Sequence, residues 1–191
     1  MPFVIGLVGE KGSGKGTAVG LLRELVAPRR VVTTRFSDVL RETLALWDIA
    51  PTRVHLQDLA KIMVDRYGAD ALAHAIAVRV QHADADVVVL DGIRWQADVD
   101  LLRQFSQHVL VYITANAQVR YARLVARGED VGEREMSYEQ FCAEEQKINE
   151  LEIPRIGGYA DVQLINAGTL VEFREQLAVV RDRIPAADHH S

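Results

Sequence analysis

Short apolar runs and stretches of helical periodicity alternate along this chain. The runs fall at 3–8 (FVIGLV), 31–36 (VVTTRF), 86–90 (DVVVL), 108–113 (HVLVYI) and 162–165 (VQLI), and each is short and apolar enough to predict a buried strand. Between and after them, apolar residues recur at helical spacing over 17–27, 37–48, 52–66, 70–83, 96–106, 116–127, 137–150 and 169–183. Strands alternating with helices predict an α/β fold, a five-stranded parallel sheet with helices on both faces. No repeat, low-complexity tract or linker divides the chain. In such a sheet ligands gather at the carboxyl ends of the strands, so the residues that follow each strand carry most of the chemical information.

After the first strand comes GEKGSGKGT, Gly9 to Thr17. Two glycines at the right spacing prove little alone, but these lie between a predicted strand and a helix marked by Ala18, Leu21, Leu22 and Leu25. There the amides of Gly12, Ser13, Gly14 and Gly16 can turn inward on a polyphosphate, with the positive end of the helix dipole behind them. Lys15 reaches the β- and γ-phosphates. The usual motif places Ser or Thr directly after the lysine to ligate Mg²⁺; here Gly16 holds that place and Thr17 follows. Magnesium is then expected to be held by phosphates, water and a distant carboxylate.

The later strand ends supply candidates for such partners. In FSDVLRETL, Ser37 is expected to cap a helix, Asp38 lies in its first turn, and Arg41 is either a bidentate phosphate ligand or a solvated surface arginine. In VVVLDGIRWQ, Asp91 arrives at a strand end, where it either faces polyphosphate through a cation or caps the next helix. Arg94 offers a charge for a second phosphate, and Trp95 is expected to pack rather than stack on a base. In VRYARLVARGEDVGEREM, Arg123 and Arg127 share a helix face with Arg120 one turn earlier, either as solvated groups or as the arginines of a short flap closing over phosphates.

Composition narrows the classes. The chain has 191 residues and 49% hydrophobic content, enough for one sizeable core. Its net charge of −5 provides no general field for nucleic acid or an anionic membrane, so any polyanion is expected to bind at a local site. The single cysteine, Cys142, excludes an internal disulfide and is expected to pack; no apolar run approaches the length of a membrane span. The expectation is a cytoplasmic protein without nucleic-acid or membrane partners.

Taken together, these stretches resemble the nucleoside monophosphate kinases, adenylate kinase in particular. GEKGSGKGT is similar to that family's phosphate loop, including the glycine and threonine after the lysine; SDVLRE resembles its TGDMLRA segment, and LDGIR its LDGFPR, one residue shorter and without the proline. The resemblance implies a P-loop NTPase three-layer sandwich: one kinase domain over 1–184, with acceptor-binding helices at 37–84, a short lid at 120–136 and a disordered tail at 185–191. It implies that Gly9, Gly12, Ser13, Gly14, Lys15, Gly16 and Thr17 bind ATP and that Lys15, Asp91, Arg123 and Arg127 act in transfer. Asp91 orients hydrated Mg²⁺, and Arg41 and Arg94 hold the acceptor's phosphate.

Arg134 and Arg155 are weaker candidates for later lid arginines. The stretch TRVHLQDLAKIMVDRYG looks more like phage-type deoxynucleoside monophosphate kinases and archaeal relatives likened to dephospho-CoA kinase, with Arg53 and Gln57 placed to touch a base. The implied activity is transfer of the γ-phosphoryl group of ATP, with Mg²⁺, to a nucleoside or deoxynucleoside monophosphate, by a monomer or homodimer. The alternatives are a dephospho-CoA kinase-like enzyme, in which Asp38 is the base for a hydroxyl, and an ATP-binding switch that transfers nothing.

Overall fold

In a computed structural model of the chain, the structure describes residues 1–68, 70–128 and 132–186. Among these residues the elements run β1 (Phe3–Val8), α1 (Lys15–Leu25), β2 (Val31–Arg35), α2 (Phe36–Leu46), α3 (Arg53–Tyr67), α4 (Ala71–Gln81) and β3 (Val87–Ile93). They continue with α5 (Gln96–Leu102), β4 (His108–Thr114), α6 (Ala117–Arg127), α7 (Tyr138–Glu145), α8 (Ile148–Gly157), β5 (Val162–Ile165) and α9 (Leu170–Arg181). All sheet pairings are parallel and the strand order is β2-β3-β1-β4-β5.

The central strand, β1, is buried at every position. Its alternation divides the interior in two. Phe3, Ile5 and Leu7 pack with Leu22 of α1 and Phe173 and Leu177 of α9, while Val4 and Val8 pack with Ile76 of α4, Leu102 of α5 and Ile156 of α8. The chain passes from β1 to β2 at one edge, returns to β3 beside β1, then crosses to β4. That reversal opens a crevice at the carboxyl ends of the central strands.

Three boundaries differ from expectation. β3 runs on to Ile93, through a bulge at Gly92, where Val8 pairs with Ile93 directly after Leu7 pairs with Asp91. Asp91 therefore stays in the sheet, on the face of Val87 and Val89. α2 begins at Phe36, and its cap is the backbone N–H of Arg35 donating to Asp38 Oδ2 at 2.7 Å, so Ser37 does not cap it. The predicted helix over 137–150 is two helices, the second of which continues through Pro154. An interior proline costs ~3 kcal/mol. Ile153 and Ile156, on either side of it, are buried in the α4–α5–α8 core, and each contributes ~1.5–3 kcal/mol, which offsets that cost. No described helix is long and apolar enough to cross a membrane. Residues 129–131 of the expected lid and 187–191 of the expected tail lie outside the described residues.

Candidate functional site

The loop after β1 is pinned from two sides. Gly12 and Gly14 have φ of 75° and 99°, the left-handed region that disfavours a side chain. A Cβ at Gly12 would lie 2.5 Å from the carbonyl of Arg120, and one at Gly14 would lie 2.2 Å from Asn166 Nδ2. Asn166, in the turn after β5, is buried and donates from Nδ2 to the carbonyl of Ser13 at 2.9 Å. Gly14 caps α1, whose first turn carries no acidic residue, so the helix offers its positive end to an anion. Gly16 and Thr17 are exposed in that turn, and a Cβ at Gly16 would meet nothing within 4 Å.

Lys15 folds back over the loop, donating to the carbonyls of Gly9 at 2.6 Å and Glu10 at 3.1 Å. Burial pulls its pKa down to about 8; Asp91 opposes that shift and Arg94 adds to it, while Glu10 and Glu150 also raise it. The phosphate-loop lysine, the carboxylate of β3 and the arginine after β3 therefore act on one another electrostatically.

Asp91 is 8% exposed. Its Oδ2 accepts from Arg35 Nε at 3.1 Å, and its Oδ1 is buried with no hydrogen-bond partner. Among the described residues, the other buried side-chain atoms without a partner are Glu10 Oε2, Ser13 Oγ, Thr34 Oγ1 and Arg123 Nη1. All five lie around the carboxyl edge of the sheet or on α6 beside it, where orphaned polar groups mark a ligand site. No group of three or more His, Cys, Asp or Glu among the described residues can hold a metal. One free carboxylate oxygen suits a hydrated Mg²⁺ bound chiefly by phosphates, and not a metal held in a protein cage. The capping alternative for Asp91 is removed, because Asp98 caps α5 by accepting from the N–H of Trp95 at 3.0 Å.

Beyond the loop lies a cavity of about 570 Å³. Arg41 of α2, Arg53 and Gln57 of α3, and Arg94 all line it, together with Lys11 of the loop. Leu40, Leu56, Leu124 and Phe141 supply apolar walls, and α7 and α8 add Glu144, Glu145 and Glu150. Arg94 is paired with Glu150. Asp38 is not among the lining residues; its carboxylate serves the cap of α2.

The expected lid arginines separate by role. Arg123 donates weakly to Asn166 Oδ1 at 3.4 Å, beside the loop, and Arg127 pairs with Glu133 at 3.0 Å. Arg120, on the same face in sequence, is buried: it pairs with Glu145, donates to the carbonyl of Ala115 at 2.8 Å and lies over Phe141. It holds α6 to α7. Arg155 pairs with Glu152 and Arg134 is exposed, and neither lines the cavity. Trp95 is 42% exposed and belongs to neither core.

Sequence reasoning missed Lys11, Arg35 and Asn166, and also Glu10, a buried carboxylate that accepts from the hydroxyl of Tyr112. Lys11 and Glu10 were visible as charges inside the loop. The other two are single polar residues whose meaning depends on strand order.

A family profile described as "AAA domain" matches residues 5–143. A relative from Methanoregula boonei described as "UPF0200 protein" is 31% identical over 173 residues, covering 89% of this chain and 91% of the relative. Among solved structures, a shikimate kinase from Bacteroides thetaiotaomicron aligns with a TM-score of 0.60 at 13% identity, covering 94% of this chain and 98% of that one. A gluconokinase from Sinorhizobium meliloti aligns with a TM-score of 0.57 at 22% identity, covering 96% and 94%. These likenesses show the fold, a five-stranded parallel sheet of the P-loop NTPase kind surrounded by helices.

Proposed function

This chain belongs to the AAA-domain family, and from that premise we propose that it is a cytoplasmic phosphotransferase moving the γ-phosphoryl group of ATP to a nucleoside or deoxynucleoside monophosphate. The observation that carries the reading is the convergence of Arg41, Arg53, Gln57 and Arg94 on one cavity next to the phosphate loop. A site that only senses ATP needs cations for one phosphate group; this one has a second set, on different elements, in a space of the size that holds a small molecule. The kinases that share the fold support a small-molecule acceptor.

In this reading Lys15 and the loop amides hold the donor phosphates, Arg123 and Arg127 neutralise charge from the α6 side, and Arg41 and Arg94 fix the acceptor's phosphate. Arg53 and Gln57 meet the base. The free oxygen of Asp91 would hold the water shell of a bound Mg²⁺, which would supply neutralisation of the donor's phosphate charge. Because an acceptor phosphate is already ionised, no general base is required, which agrees with Asp38 being engaged as a helix cap.

The test is ADP formation from ATP and Mg²⁺ with separate pools of nucleoside monophosphates, deoxynucleoside monophosphates and dephospho-CoA. ADP is expected only with one or both monophosphate pools. ADP with dephospho-CoA alone would transfer the reading to a hydroxyl acceptor, and ATP binding with no acceptor-dependent turnover would replace it with a switch.

A further inference from the structure

One residue of the phosphate loop belongs to both halves of the site. Between Gly9 and Thr17, Lys11 is the residue that also lines the cavity shared by Arg41, Arg53 and Arg94. Its ammonium lies 3.4 Å from Glu144 Oε2 of α7, with 41% of its side chain exposed. A long, exposed pair of this kind holds weakly. Glu144 also pairs with Lys147 at 3.1 Å, so departure of Lys11 does not strand the carboxylate. Lysine is a compact charge on a flexible stem, able to change partners at low cost.

We propose that Lys11 is a further catalytic residue, which leaves Glu144 and contacts the phosphoryl group in flight between donor and acceptor. The inference rests on the kinase reading above. In the step, an oxygen of the acceptor phosphate gives an electron pair to the γ-phosphorus. The bond from that phosphorus to the β–γ bridging oxygen breaks, its pair leaves with ADP, and no proton has to move. Negative charge spreads over the three peripheral oxygens of the moving group. Lys15 is anchored to the carbonyls of its own loop and Arg94 is paired across the cavity with Glu150, so each is tied to one side of the site. Lys11 is rooted in the donor loop and faces the acceptor cavity, and its ammonium is available to oxygens that lie between them.

The competing account is that Lys11 only ties the loop to α7. Under that account Lys11→Met and Glu144→Gln break the same link and have the same effect. If Lys11 is catalytic, Lys11→Met lowers kcat by ~10²-fold, the scale of losing one preorganised stabiliser of transition-state charge. ATP affinity, measured calorimetrically without acceptor, and the acceptor's KM stay within about threefold, Lys11→Arg recovers part of the loss, and Glu144→Gln raises kcat by releasing the lysine. Lys11→Gln serves as a second neutral variant should the first not fold.

A neutral variant within about threefold of the wild-type kcat overturns the inference, as does a loss in Glu144→Gln equal to that in Lys11→Met. If the wild-type protein turns over an acceptor and the neutral variants do so within about threefold of its kcat, this inference alone fails. If the wild-type protein turns over none, the kinase reading fails and takes this inference with it.

Discussion

Arg35 closes β2 and Asp91 lies opposite it on β3, in register, with the arginine's Nε donating to one carboxylate oxygen at 3.1 Å. The arginine holds that oxygen and leaves the other buried and unpartnered. If this second oxygen orders the water shell of Mg²⁺, Asp91→Asn should lower turnover by ~10–100-fold, the usual effect of losing an outer-shell metal partner. A Mg²⁺ titration of the rate should show a higher requirement, while metal-free ATP binding is not weakened because a negative charge has been removed. An unchanged Mg²⁺ dependence would exclude Asp91 from the metal's surroundings.

Lys15, with a pKa of about 8, gives the proposed nucleotide site a pH signature. A bound phosphate favours its protonated form, so ATP binding near pH 8.5 should take up protons, and affinity should fall as pH rises through about 8. Calorimetry in buffers of different ionisation heat reads this directly, and Lys15→Ala should abolish the uptake. The same shift affects folding with a definite sign. Because the folded pKa lies below the unfolded value of 10.5, the unfolded chain binds more protons between about pH 8 and 10.5. Stability should therefore rise with pH across that window relative to Lys15→Met, as measured by paired urea melts.

Arg41 has no hydrogen-bond or ion-pair partner among the described residues, and it lines the cavity assigned above by proposal to the acceptor. Its removal should leave the thermal midpoint unchanged and raise the acceptor's KM by ~10–100-fold, the effect of losing a hydrogen bond to a charged group. ATP affinity without acceptor should stay within about twofold. If Arg41→Ala weakens ATP as much as it weakens turnover, both phosphate sites are one, and the switch reading replaces the kinase.

The loop glycines should respond unequally to a methyl group. Gly16→Ala finds open space in a helical turn and should stabilise the protein by ~0.4–1 kcal/mol. Gly12→Ala places its Cβ against the Arg120 carbonyl at positive φ and should destabilise it. Thermal melts of the two variants distinguish them, and equal midpoints would contradict the threaded path of the loop.

What was legible beforehand was local. The strand, loop and α1 could be read because glycines, Lys15 and helical spacing adjoin in sequence, and Arg41 and Arg94 because each follows a strand end closely. The pairing of Arg35 with Asp91 could not be read, since it exists only because β2 lies beside β3. Arg120 shares spacing with Arg123 and Arg127, yet it turns inward because Glu145 and Phe141 come from a separate helix. α8 was hidden by Pro154, whose local cost is outweighed by burial that sequence does not reveal.

The hydrogen bond from Asn166 to Ser13 spans 153 positions of chain. The loop after β1 therefore cannot take its final form until the chain has been made past β5, because the side chain that fixes it lies in the turn after that strand. A bound phosphate can then reward only a chain that already includes Asn166, and a chain arrested before that residue leaves the loop carbonyl unheld.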